Sequence, residues 1–315
     1  MTELSAAISQ IVILFLIVIL GFILSKVGYL DQDMSNKLSG ILLNVTLPCM
    51  IIASVSEMDF VSAQNQIPIT VLLAILSFVV MIVVSLVLAF LMRVRKQDSS
   101  VYMFMGLCTN LGFMGIPVIA SIYGNQSIIL TSIFVMFQGI FMYSFGFVML
   151  AATSEDTDKA KNFKIPWRAM VNPAMIASLL ALALFFAQIH LPYILNEAMD
   201  MVGSITAPIA MMIIGLFLST VRIKDLISDW RIYVFVIARQ LLLTIAIFLI
   251  ARMFISDPLV LGVLVMVFAM PVGSLVPLFS AQFHHDTMLA TRGVVIGTAF
   301  SFVFIPVLLA VMAYC

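Results

Sequence analysis

The sequence predicts an all-α polytopic membrane protein of ten transmembrane helices, built as two inverted five-helix repeats with broken, crossing fourth and ninth helices. Three observations predict it. Of the 315 residues 63% are hydrophobic and 10% charged, and the mean hydropathy is +1.22, well outside the usual range of a soluble globular domain. Apolar runs of about the 20 residues needed to cross a bilayer follow one another along the chain. The chain also repeats itself at a shift of 160 residues: Asn44-Val45-Thr46-Leu47-Pro48 recurs as Ser204-Ile205-Thr206-Ala207-Pro208, and Gly115-Ile116-Pro117 as Leu275-Val276-Pro277. A shift shared by two separate motifs marks duplicated halves.

The first run, about 8–27, follows Glu3 and no basic residue and lacks a small-residue cleavage site, so it reads as a retained helix and not a signal peptide. The second, about 37–56, carries Asn44, Thr46 and Pro48; the third covers about 67–92, the fourth 101–122, and the fifth 127–152 with Gln138. The hydrophilic stretch from Ser154 to Arg168 reads as a solvated linker joining the halves. The sixth run is about 172–190, the seventh 197–219 with Thr206 and Pro208, and the eighth 231–254 with Arg239. The ninth covers 258–282 and the tenth 287–313. The expected organisation is therefore residues 1–152 as the first repeat, 153–170 as a cytoplasmic linker and 171–315 as the second repeat.

Thirteen of the fifteen Lys and Arg lie at alternate connections: Lys26 and Lys37; Arg93, Arg95 and Lys96; Lys159, Lys161, Lys164 and Arg168; Arg222, Lys224 and Arg231; and Arg292. Those connections are expected on the cytoplasmic side, which places both termini outside. Five crossings per half then insert the second half upside down relative to the first, giving an inverted-topology repeat.

The fourth run reads Thr109-Asn110-Leu111-Gly112-Phe113-Met114-Gly115-Ile116-Pro117. Pro117 lacks a backbone donor and its ring opposes the carbonyl of Phe113, so the helix is expected to break here. The ninth run matches it with Pro271, Gly273, Ser274 and Pro277. Freed backbone groups cannot face lipid, and must line a cavity or be buried in protein. Half-helix N-termini at such a crossing favour an anion. The alternative is that these prolines only kink packed helices.

The segment from Asn110 to Pro117, followed by Ile122-Tyr123-Gly124, resembles the fourth-helix signature of the auxin efflux carrier family, which includes the plant PIN-formed carriers and bacterial permeases for malate and malonate. The ninth run through Phe279, Ala281 and Phe283 is similar to the family's matching segment. The resemblance covers essentially the whole chain. It implies a secondary transporter of a small mono- or dicarboxylate in the cell membrane, working by an elevator motion. Helices 1, 2, 6 and 7 would form a scaffold, the family's site of homodimerisation, and helices 3–5 and 8–10 the moving body. It further implies Asn110 as a ligand of the substrate carboxylate, with Pro117 and the Pro271–Pro277 segment shaping the crossover and Gly112, Gly115, Gly273 and Ser274 beside it. The halves differ chemically, since the shift places Met270 opposite Asn110. The long cytoplasmic loop of the plant carriers is absent, which points to a bacterial permease.

Other polar residues in apolar runs have two readings each. Asn44, Thr46 and Pro48, Thr206 and Pro208, and Gln138 either hydrogen-bond between helices or line the substrate path. Arg239 either snorkels to the cytoplasmic surface or neutralises an anion in the inward-facing cavity. His284-His285-Asp286 offers too few ligands for a metal, so no metal or cofactor is expected. All fifteen Asp and Glu fall in connections or near helix ends, which weighs against a proton antiporter and against an enzyme with an intramembrane acid/base pair. Cys49, Cys108 and Cys315 form no paired motif, and zero net charge without a basic stripe argues against nucleic acid as a partner. A sodium-coupled symporter like the bile acid carriers, and an anion channel or sensor that does not translocate, are the alternatives.

Overall fold

The computed structural model describes residues 2–57, 60–152, 171–220 and 229–314. The expected linker 153–170, and with it Lys159, Lys161, Lys164 and Arg168, lies outside the described residues, as do Asp59, Arg222, Lys224 and Cys315. The described residues are almost all helical, in the order α1 (Thr2–Val27), α2 (Gln32–Ala53), α3 (Phe60–Leu91), α4 (Lys96–Leu107), α5 (Leu111–Tyr123), α6 (Gln126–Ala151), α7 (Pro173–Phe186), α8 (Tyr193–Ser219), α9 (Trp230–Ala251), α10 (Pro258–Ala269), α11 (Val276–Gln282) and α12 (Thr287–Tyr314). Among the described residues α1, α2, α3, α6, α8, α9 and α12 are long and apolar enough to cross a membrane, and α5, α7 and α10 are shorter apolar helices. Together with α4 and α11, these segments fall at the positions of the apolar runs.

Helix starts follow local chemistry. Asp31 and Asn172 accept hydrogen bonds from the backbone N–H groups of Met34 and Met175, capping α2 and α7. Asp257 caps α10 through Leu259 and Val260 N–H, and Pro173 and Pro258 stand in first turns, where a missing donor costs nothing.

Small residues set the closest helix contacts, as expected where lipid supplies no hydrophobic drive between helices. On α1 and α8, Gly21 and Gly215 let the backbones touch: a Cβ on Gly215 would lie 2.1 Å from the Val18 carbonyl oxygen, and one on Gly21 2.3 Å from that of Met212. Around this contact, α2 packs on both α7 and α8, α3 on α4 and α6, and α12 on α9, α10 and α11. The outward faces of α1, α3 and α8 expose large apolar side chains such as Leu16, Leu72 and Met201.

Candidate functional site

Two helix interruptions meet in the middle of the fold. The helix of α4 ends at Leu107 and resumes at Leu111, leaving Cys108, Thr109 and Asn110 non-helical. The break thus precedes the expected position, because a widened π turn, Leu111–Gly115, absorbs the donor that Pro117 lacks. The Asn110 carbonyl accepts from both Met114 and Gly115 N–H, at 3.0 and 2.9 Å. Pro117 then stands in the first turn of the regular α-helix, Ile116–Tyr123.

The second interruption has a local cause. The ring of Pro271 drives the preceding residue out of the helical region, and Met270 is extended at φ −62° and ψ 140°. Pro277 lies in the first turn of α11. The two breaks are tied to each other by backbone: Asn110 N–H donates to the Pro271 carbonyl at 2.9 Å, and Gly273 N–H to the Cys108 carbonyl at 2.8 Å. Thr109 and Val272 thereby form an isolated antiparallel bridge. Glycine suits the close approach at 273, since a Cβ there would lie 2.8 Å from Cys108 Sγ and 3.1 Å from the Thr109 carbonyl oxygen.

Gln138 on α6 clamps the first break. Its Nε2 donates to the Thr109 carbonyl at 2.6 Å, and its Oε1 accepts from the Thr109 hydroxyl at 2.9 Å. Its amide therefore serves the protein's own backbone.

A cavity of about 220 Å³ opens beside these breaks. Asn44, Asn110, Gly112, Gln138, Gly273 and Ser274 line it, so the structure brings six of the sequence-predicted residues to one place. Gly115, Pro117, Pro271, Pro277, Thr46, Pro48, Thr206, Pro208 and Arg239 do not line it. Thr46 donates back to the Leu42 carbonyl at 3.4 Å, a local helix bond, and Thr206 is fully buried with no partner for its hydroxyl among the described residues. Sequence reasoning does not single out the lining residues Cys108, Tyr143 or Asn172. The Asn172-Pro173 pair, a cap followed by a first-turn proline, is the one signal that could have marked the α7 wall.

Among the described residues none in the cavity wall is charged. Its distinctive group is Asn110, an N-cap residue whose carbonyl accepts from the following turn and whose side chain makes no cap hydrogen bond. Asn110 is 3% exposed, and its Nδ2 has no hydrogen-bond partner among the described residues. A buried amide donor without an acceptor costs about 1–3 kcal/mol, which a ligand's oxygen would relieve. The Gly112 and Phe113 N–H groups, in the first turn of α5, carry the helix's partial positive charge at the same wall.

Arg239 does not snorkel. It is 1% exposed and donates from Nη1 to the Met270 carbonyl, at the second break. His285, from the excluded metal cluster, places Nε2 2.8 Å from the Leu150 carbonyl oxygen.

The profile of a family described as membrane transport protein matches residues 6–309. The chain is also similar to an uncharacterized transporter of Methanocaldococcus jannaschii, with 23% identity over 223 residues, 68% of this chain and 70% of that protein.

Proposed function

The chain belongs to this family of membrane transport proteins, that of the auxin efflux carriers, and from that premise we propose that it is a secondary carrier of a small organic anion with a carboxylate at Asn110. The observation that carries the reading is Asn110, a residue of the cavity wall at one of two helix breaks, whose buried Nδ2 has no hydrogen-bond partner among the described residues. A carboxylate there accepts from Asn110 and from the first-turn N–H groups of α5. Substrates of malonate or malate size, or a compact auxin-like acid, suit the chemistry.

Several features support the finer picture of ten crossings in two inverted repeats. The 160-residue shift relates α1 to α7 and α2 to most of α8, from its start at Tyr193 to Ile213, and packing follows it: α1 lies on α8 as α2 lies on α7. The cavity has one wall from α2 and α7, through Leu43, Asn44, Leu47, Pro173 and Ala174, and another from the breaks and α6. That division suits an elevator motion in which α1, α2, α7 and α8 stay fixed, as a scaffold that also dimerises, while the crossover carries the anion. The alternation of basic residues supports outside termini in a cell membrane.

Uptake of labelled malonate and malate into proteoliposomes tests the reading. The parent transports saturably, and Asn110→Ala lowers apparent affinity about tenfold or more, as loss of a hydrogen bond to a charged group implies. Unsaturable flux, binding without flux, or undiminished transport by Asn110→Ala contradicts it.

A further inference from the structure

Among the described residues the proposed anion site has no charged residue in its wall, yet a positive charge is held one peptide away from the carbonyl that binds Asn110. Among the described residues Arg239 is the charged side chain that is fully buried. A widened π turn, Ile237–Leu242, places it and its neighbour Gln240 in the interior together, each 1% exposed. Such π turns recur at functional positions in helices.

Its only hydrogen bond among the described residues goes to the Met270 carbonyl, and Nε and Nη2 have no partner. No described Asp or Glu is buried, and the ion pair found among the described residues, Lys37 with Asp33, has both side chains exposed. A buried guanidinium without a counter-charge is costly, so something must supply one.

Met270 is the C-cap of α10, a 12-residue half-helix whose last carbonyls carry partial negative charge. In carriers with broken helices, freed carbonyls at a half-helix C-terminus are where a transported cation is held. Here that position holds a guanidinium tethered to the protein. The neighbouring carbonyl, Pro271, accepts the Asn110 N–H, so Arg239 and the Asn110 peptide hold consecutive carbonyls of one extended segment. Gln240, with both amide atoms unpartnered, lies on the same side of the break: its Oε1 is 3.5 Å and the Val272 N 3.4 Å from where a Cβ on Gly297 would stand.

We infer that Arg239 takes the place of a coupling cation at the crossover, supplying from behind the wall the positive charge that offsets one carboxylate at Asn110, so that anion binding needs no sodium. This rests on the carrier reading above. Arg239 acts through the peptide it holds and through its field; it is a positioning residue and does not touch the substrate.

The test is binding of radiolabelled malonate and butyrate to the full chain in nanodiscs, in sodium or choline buffer. The parent binds a carboxylate with affinities within about twofold in the two buffers. Arg239→Gln weakens binding about tenfold or more, and Arg239→Lys, which keeps the charge, recovers most of that loss. A tenfold gain from sodium in the parent overturns the inference, and needs no variant. So does Arg239→Gln binding within about twofold of the parent. If Arg239→Gln fails to fold by size exclusion, the sodium comparison and the Lys variant decide the matter: a folded Lys variant with parental affinity supports the charge role, and one that folds but has lost binding contradicts it. A parent that binds neither acid overturns the carrier reading itself, whereas a binding parent with an indifferent Arg239→Gln overturns this inference alone.

Discussion

Asn110 and Pro271, 161 positions apart, are joined by a single backbone hydrogen bond of 2.9 Å that links the interruption after α4 to the one after α10. The Asn110 side chain makes no cap hydrogen bond, and the residue lines the cavity. The geometry of the whole site hangs on two short non-helical segments staying together.

Gly273→Ala tests that closure. The added methyl group lies 2.8 Å from Cys108 Sγ and 3.1 Å from the Thr109 carbonyl oxygen, so the thiol must turn and the Thr109 peptide must give way. The expected result is a loss of about 1–3 kcal/mol of stability, seen in thermal unfolding, and of carboxylate binding.

Gln138 and Thr109 should be energetically coupled. Gln138→Leu leaves the buried Thr109 hydroxyl and carbonyl without their 2.9 and 2.6 Å partners and should cost about 1–3 kcal/mol. In a double-mutant cycle, Thr109→Val combined with Gln138→Leu costs less than the sum of the two, by about 0.5–3 kcal/mol. Additive effects would contradict the clamp.

Gly215→Ala places a methyl group 2.1 Å from the Val18 carbonyl oxygen, where neither backbone can yield without separating α1 from α8. Destabilisation of about 1–3 kcal/mol or more is expected in thermal unfolding. An unchanged midpoint would mean the two helices are not in this contact.

Asp98, in the first turn of α4, has its carboxyl pushed above the usual range, chiefly by burial and then by the charge of Asp286. A carboxyl whose folded-state pKa exceeds its unfolded value destabilises the fold as pH rises from the lower value to the higher, and the penalty persists above both. Asp98→Asn should therefore raise the unfolding midpoint slightly at neutral pH and leave it unchanged in acid. The side chain is partly exposed, so solvent screening keeps the shift small.

The apolar runs were legible because bilayer crossing imposes a length and a composition that no soluble fold needs. Cys108 to Asn110 was harder. Nothing in those three residue types stops a helix, and the interruption exists because the Cys108 carbonyl and the Asn110 N–H find partners on Gly273 and Pro271, far away in sequence. Pro117 misled for a related reason: the π turn at Leu111–Gly115 accommodates it, so the helix breaks a turn or two earlier. Pro271, by contrast, acted where local sterics say it should. Tyr143 and Asn172 reach the cavity only through tertiary packing, which a single sequence does not encode visibly. Arg239 carried a visible charge, but its burial depends on the Met270 carbonyl across the fold.

The most direct test of the central claim replaces the Asn110 amide by a carboxylate of the same shape. Labelled malonate binding to Asn110→Asp, measured at neutral pH beside the parent and with thermal unfolding as a control for folding, should fall about a hundredfold or more as the donor is lost and a like charge faces the anion. A folded Asn110→Asp protein that binds malonate as the parent does would contradict the placement of the substrate at Asn110.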